Sequence, residues 1–399
     1  MNTPKFISRP VFLLFTLFLG IGALPATADV VQLLPRHKSE RVLAPSLPSD
    51  NAHYLAFSSV LDLGDRVLVS FKRGHSHAND PGARIDMLTI DKATDRVAVG
   101  RPIAKLDDKI MEMGEWVRFP GGVIGNYIDA QQGGAKPGRI GIRFTLSSDG
   151  GHTFGPLQRL GLIDDVEYGY PFDFVVEGQT TWMLAMTFSN LQGGRSVTAL
   201  RPAAGSVDVI RSDNSGRTWS RIRNLTQEFG DIPINESSFV RCGDGWLVAT
   251  RGYDDTARLH LTDHAFHVLQ EKNLTATYSF IEGYIGRPRL FVRDGRFYLI
   301  GRNWTTAKSA VKPSLGAQGP GFPAAMKLCL FRIDPDSLAV ETYAILDNAD
   351  AGNVTDGYYP VPYFCTHDGQ TWLRVVTYKG MNHQPPQIVE FEFLWEEVR

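Results

Sequence analysis

The sequence predicts an all-β chain closed into a β-propeller of six blades, with seven as the alternative count and four antiparallel strands in each blade. Three observations predict it. Short runs of alternating apolar and polar residues, separated by Gly/Asp turns, fill the chain, and no long helical period interrupts them. The runs recur as similar units at intervals of roughly fifty to sixty residues, the spacing of a radial array whose members cover one another's faces. Two of the turns also share one pattern, Ser-x-Asp-x-Gly-x-Thr-aromatic.

The units follow in order. The first reads as strands at 53–61, 66–71, 85–90 and 98–103, and the second as 115–119, 123–128, 140–147 and the segment after Phe154. The third covers 172–176, 182–188, 207–211 and 220–223, and the fourth 237–241, 246–250, 258–261 and 266–270. The fifth covers 289–292, 297–301, 326–333 and 339–345. The last shows only 359–364, 372–377 and 388–393, so 30–34 is expected to supply its fourth strand and close the ring. Three units open alike, "VLDLGDRVLVSF", "FVRCGDGWLVATR" and "LFVRDGRFYLIGR": a strand, a tight turn and a more apolar strand.

Ahead of these lie Lys5 and Arg9, an apolar run from Val11 to Leu24, and Ala26-Thr27-Ala28. That order reads as a signal peptide over 1–28, leaving 29–399 as a single propeller domain, exported to the extracellular space or periplasm. The apolar run is short for a membrane span. A formal net charge of −2 with scattered Lys and Arg provides no field for nucleic acid or for a membrane surface, and the chain is expected to be a monomer. Cys242, Cys329 and Cys365 lie in no zinc-motif spacing and read as small buried strand residues, with at most one disulfide among them. Asn224, Asn235, Asn273, Asn303 and Asn353 each begin an Asn-X-Ser/Thr triplet, a glycosylation acceptor where the host glycosylates exported proteins.

The patterned turns are Ser147–Phe154 and Ser212–Trp219, the second carrying Asn214 in place of the aspartate, with a weaker version at 366–372. Each residue has a task. The carboxylate or amide accepts from turn amides, Gly permits a left-handed backbone, and the aromatic packs back between blades. These turns resemble the Asp boxes of the sialidase or BNR-repeat superfamily, and with the unit period the resemblance covers nearly all of 29–399. Asp boxes lie on outer turns, so they speak for the fold and not for chemistry.

What the resemblance implies for the site can be carried over position by position. Sialidases hold a sugar carboxylate with three arginines and use a Tyr nucleophile assisted by Glu, with an Asp acid/base. Here "INESSFVRCGDGWLVATR" places Glu236 and Arg251 as in that family, and "DGYYPVPYF" offers Tyr358 or Tyr359 as the nucleophile. Asp80 follows Arg73 in the first unit, and Arg287 or Arg302 offers a further arginine. Where the family opens its first blade with Arg-Ile-Pro, this chain reads "NAHYLAFSS", with His53 and Tyr54 in the place of the arginine.

The densest chemical stretch is "SFKRGHSHAND", with Lys72, Arg73, His75, His77, Asn79 and Asp80 on one first-unit loop. With His53, Tyr127 and Arg143, the His75/His77 pair is similar in order and spacing to the active sites of propeller polysaccharide lyases of the ulvan and rhamnosyl-glucuronate type, which are usually seven-bladed. That resemblance implies β-elimination beside a glucuronate. Arg143, with Arg195 or Arg302, would neutralise the carboxylate, while His75, His77 or Tyr127 exchange the protons. It also suggests a structural Ca2+ in the central channel, with His53 as a ligand. The first expectation is therefore a lyase on an acidic oligo- or polysaccharide. The alternatives are an exo-α-sialidase, a non-catalytic glycan-binding propeller, and another glycoside hydrolase acting through Asp80 and Glu236.

Overall fold

The computed structural model describes residues 30–134, 138–187, 205–304, 326–349 and 354–399; the expected signal peptide lies outside them. Six antiparallel sheets form the six blades of a sialidase-like β-propeller. Blade one orders Tyr54–Asp62, Arg66–Gly74, Arg84–Asp91 and Val97–Ala104. Blade two orders Lys109–Arg118, Ile124–Gln132, Arg143–Ser147 and Gln158–Arg159. Blade three runs Val166–Glu177, Thr180–Thr187, Val207–Ser212 and Ser220–Asn224. Blade four runs Ile234–Cys242, Gly245–Gly252, Ala257–Thr262 and Val268–Asn273. Blade five has Gly286–Arg293, Arg296–Trp304, Met326–Asp334 and Ala339–Asp347.

Blade six corrects the expected closure. Its inner edge is split between Val354–Gly357 and Val361–His367, both paired with Gln370–Met381; Gln387–Leu394 follows. The strand that closes the ring is Lys38–Ala44, antiparallel to Gln387–Leu394, and not the segment 30–34. Val31–Leu33 instead adds to blade five, parallel to Ala339–Asp347. Charge explains the choice of Lys38–Ala44: Arg41 Nε donates to Glu390 at 2.6 Å, and Arg374 of the same blade reaches Asp95 of blade one.

The two patterned turns fold as their residues require. Asp149 accepts from the Thr153 amide at 2.9 Å, and Asn214 Oδ1 accepts from the Thr218 amide at 2.9 Å, with Gly151 and Gly216 at positive φ. Phe154 packs on Trp116 and Trp219 on Tyr127, so the aromatics do pack back between sheets. The third pattern, at 366–372, is instead a two-residue hairpin: Asp368 and Gly369 both take positive φ, and His367 pairs with Gln370.

One irregularity recurs in every blade and decides where the site lies. Each innermost strand carries a β-bulge near one end: Ala56/Ser59, Met111/Met113, Tyr168/Tyr170 with Pro171/Asp173, Ile234/Ser237, Gly286/Arg289 and Val354/Asp356. An extra residue breaks the two-residue alternation, so a side chain due to enter the core between blades is turned to the propeller axis instead. Phe57, Glu112, Tyr170, Glu236 and Arg287 all come from or adjoin these bulges. Phe57 and Arg287 take φ of 56° and 45°, a conformation costly for residues with a Cβ, and packing on all sides holds them there.

All three cysteines are free. Cys365, His367 and Glu392 do approach one another, but Arg374 already donates to Glu392 from Nε at 2.6 Å. Of the glycosylation triplets, Asn224 and Asn273 cap short helices with their side chains and Asn235 and Asn303 are buried, which leaves no room for a glycan at the last two. Asn353 lies outside the described residues.

Candidate active site

The bulged ends of the inner strands surround a cavity of about 190 Å3 near the axis, lined among others by Phe57, His77, Glu112, Asp129, Arg139, Tyr170, Glu236, Arg251, Tyr253 and Tyr359. Two proton-exchanging groups stand on it. The first is Tyr359 with Glu236: the Tyr359 hydroxyl donates to Glu236 Oε1, and Tyr170 donates to the same oxygen at 3.1 Å. The other oxygen, Oε2, accepts from Arg251 Nη1 at 2.6 Å and from the Arg287 amide at 2.9 Å. Burial alone would favour protonation of Glu236, but Arg251 and Arg287, helped by the Tyr359 hydroxyl, hold its pKa down at about 2. It is a carboxylate at every working pH. Burial and the neighbouring Glu236 charge raise the pKa of Tyr359, so its proton stays on until something draws the oxygen forward.

The second group is His77. Its Nδ1 lies 3.0 Å from Asp356 Oδ2 and 3.0 Å from the Tyr54 hydroxyl, which also donates to Asp356. Lys72 fixes the loop, donating to the His77 carbonyl at 3.0 Å and to Glu112 at 2.7 Å. Burial, with the positive charges of Lys72 and Arg302, lowers the His77 pKa to about 3, so the imidazole is neutral. Phe57 stands between the two groups, with its ring 5.0 Å from that of His77 and 5.3 Å from that of Tyr359.

Around Tyr359 the charge is unbalanced. Arg287 is shared with Glu115, whose second oxygen takes Arg289, itself bound to Asp173 at 2.6 Å. Arg302 is buried against the Tyr359 and Trp304 rings and donates to the Gly357 carbonyl at 2.7 Å; among the described residues it meets no carboxylate. Its charge reaches Glu236 only at a distance and its Nε has no partner among the described residues, which makes it a candidate site for an anion.

The structure thus gathers His77, Glu236, Arg251, Arg302 and Tyr359 and leaves the other expected residues elsewhere. Tyr127 is fully buried between blades two and three, stacked on Phe144 with centroids 5.0 Å apart, and cannot meet a ligand. Its place in "VIGNYID" is a core position of the alternation and not a strand end. Arg143 sits on the third strand of blade two, opposite Ile128 and Arg159, away from the cavity. Asp80 is a turn staple, accepting from the His75 and Ser76 amides, and does not line the cavity. His75 is exposed beside Asp80, Arg73 is held by Asp86 at 2.6 Å, and Arg195 lies outside the described residues. Tyr358, the other reading of the nucleophile, points to the outer core and donates to Asp347.

His53 lies before the first strand, with Nδ1 3.1 Å from the Asp50 carbonyl. It does not reach the axis, where Arg287 and Arg289 meet Glu115 and Asp173. Two guanidinium groups already neutralise those carboxylates, so the axial residues do not fit a calcium ion.

Likeness to known proteins extends to the fold alone. No family model matches the chain, and no curated protein does. Among solved structures, a protein of unknown function from Dyadobacter fermentans is similar at a TM-score of 0.63 and 13% identity, over 90% of this chain and 99% of that one. The NanB sialidase from Streptococcus pneumoniae is similar at 0.59 and 10%, over 90% of this chain and 71% of that one. Trypanosoma rangeli sialidase, solved in complex with sialic acid, is similar at 0.54 and 9%; the match covers 92% of this chain and about 60% of the trypanosomal chain. The likeness is to the sialidase propeller as a scaffold.

Several cavity residues carried no local sign in the sequence. Phe57, Glu112 and Tyr170 belong to ordinary-looking strands and are brought to the axis by the bulges, while Asp129 and Arg139 come from regular strands beside them. Tyr54 and Asp356 stand some three hundred residues apart and meet because blades one and six are neighbours across the ring closure.

Proposed function

We propose that this chain is an exported, carbohydrate-active propeller enzyme that hydrolyses a glycosidic bond next to an acidic sugar, with Tyr359 as nucleophile. One observation carries the reading: the Tyr359 hydroxyl is bonded to a Glu236 carboxylate on a cavity lined by Arg251, while Arg302, packed against the Tyr359 ring, has no ion-paired carboxylate among the described residues. A carboxylate substrate would sit on those guanidinium groups. It would repel a carboxylate nucleophile, whereas a neutral tyrosine approaches without that penalty. As Tyr359 Oη bonds to the anomeric carbon its proton passes to Glu236, and water later releases the sugar with the proton returned. A cavity of about 190 Å3 matches one sugar residue, which favours attack at a chain end. The likeness to two sialidase structures favours the same class of reaction.

Elimination is the second reading, supported by the neutral His77 imidazole on the same cavity as Tyr359. Its first form needs Tyr127 and Arg143, which lie elsewhere, and the six blades differ from the usual seven of the lyases it resembles. A screen of sialosides, glucuronides and uronate polysaccharides separates the readings. Hydrolysis gives new reducing ends without ultraviolet absorbance, and elimination gives both. Sugar affinity with neither signal, unchanged in Tyr359→Phe, would leave a binding propeller.

A further inference from the structure

Resting on the hydrolase reading, we propose that Tyr54, His77 and Asp356 form a proton relay that serves as the acid/base of this cavity, with His77 as the catalytic residue and Asp356 and Tyr54 as positioning residues behind it. A glycoside hydrolase needs a group to protonate the departing oxygen, and Asp80, where the sequence points for that role, is spent on turn amides. Two features single out His77. It is the histidine on the cavity, across Phe57 from Tyr359, so a bond held between the two rings has a nucleophile on one side and a donor on the other. Its Nδ1 is taken by Asp356 and Tyr54, while Nε2 has no partner among the described residues.

At rest the Tyr54 hydroxyl donates to Asp356 Oδ2, the Asp356 carboxyl donates its proton to His77 Nδ1, and Nε2–H faces the cavity. As the Tyr359 oxygen bonds to the anomeric carbon and gives its proton to Glu236, the glycosidic C–O pair leaves with its oxygen, which takes the proton from Nε2. The Asp356 proton then moves onto Nδ1, so His77 stays neutral and Asp356 becomes the carboxylate. In the second half water attacks the anomeric carbon and gives a proton to Nε2. The Nδ1 proton returns to Asp356, and Tyr359 recovers its own from Glu236.

The surroundings suit that cycle. Burial raises the Asp356 pKa to about 7, although the Tyr378 hydroxyl and the Gly357 amide favour its carboxylate. The charged groups facing His77 are Lys72 from blade one and Arg302 from blade five, which oppose an imidazolium, and Glu236 from blade four, which favours one. The proton in this pair therefore rests on the carboxyl side, where it is ready for delivery through a neutral ring.

The test uses the full chain and two substrates that differ only in leaving group: the 4-nitrophenyl and methyl glycosides of N-acetylneuraminic acid, and the same pair for glucuronic acid. In Asp356→Asn, kcat/KM for the methyl glycoside should fall about 100-fold or more. For the nitrophenyl glycoside, whose leaving group needs no proton, it should fall less than about 3-fold. The native alkaline limb near pH 7 should vanish with the nitrophenyl substrate. Tyr54→Phe removes a donor that favours the Asp356 carboxylate, so it should keep the limb and move it upward; it also serves if Asp356→Asn proves poorly folded. Equal losses on both leaving groups, or an alkaline limb untouched by either variant, would overturn the relay and leave the hydrolase standing. If the native chain cleaves none of the four glycosides, hydrolase and relay fall together.

Discussion

Tyr359 and Glu236 are one bond apart, but they respond differently to substitution. Removing Glu236 strands Arg251 and the Arg287 amide in the protein interior, at a cost of about 3–5 kcal/mol, so lost activity in Glu236→Ala would report folding as much as chemistry. Tyr359→Phe keeps the ring against Phe57 and Tyr378 and removes the nucleophile with its bond to Glu236 Oε1, which keeps its bond from Tyr170. Its turnover should fall at least about 1000-fold with thermal unfolding near native. Tyr127→Phe is the opposite control: its buried hydroxyl has no bonded partner among the described residues, so activity should hold and stability should change by under about 1 kcal/mol. The two buried carboxyl groups pull the pH dependence of stability in opposite directions. Asp356 binds its proton more tightly folded than unfolded, so its contribution to stability is full at low pH and is lost as pH rises from about 4 to 7. Glu236, held near 2, contributes above its unfolded value and loses that as pH falls from about 4 towards 2. The difference in Tm between the native chain and Asp356→Asn, followed from pH 4 to 8, should move against the native chain up to about pH 7 and then level; a flat difference would remove Asp356 as a raised carboxyl.

At the scale of elements, the inner-strand bulges explain what could and could not be read from the sequence. Strand period and turn residues made the six blades legible, because alternation and Gly/Asp turns are local properties. Glu236, Arg251 and Tyr359 were legible through a family pattern that spans a few residues at a time. Phe57, Glu112 and Tyr170 were not, since a bulge moves a side chain from one face of the strand to the other without changing the composition around it. Tyr127 misled for the same reason in reverse: an unbulged strand keeps it on the core face. The regular strands allow little slack. A Cβ built on Gly245, at the start of the second strand of blade four, would lie 1.8 Å from the Thr262 carbonyl oxygen, a backbone atom that cannot swing aside. Gly245→Ala should cost about 1–3 kcal/mol by chemical denaturation and leave the substrate profile unchanged.

For the whole molecule, the ring is held shut by a strand from one end of the described chain laid against a strand from the other. Arg41 on Lys38–Ala44 meets Glu390 and Asp95, and Arg374 meets Asp95, Glu390 and Glu392, tying blade six to blade one at the strand ends opposite Tyr54, His77 and Asp356. Deleting 30–44 should therefore cost the single cooperative unfolding transition and expose apolar surface to dye. It should abolish activity as well, since the Tyr54–Asp356 contact spans the same junction. The His75/His77 loop belongs to that junction too, which is why a stretch that looked like a self-contained histidine site shares its chemistry with a carboxyl from the last blade. The proposed reaction turns on Tyr359 forming a bond to sugar. The direct measurement is intact mass and peptide mapping after incubation with an activated fluorosugar of the acidic sugar the chain turns over. The expected result is one adduct, on Tyr359, absent in Tyr359→Phe. Turnover with no adduct on Tyr359, or an unsaturated uronate as the product, would contradict it.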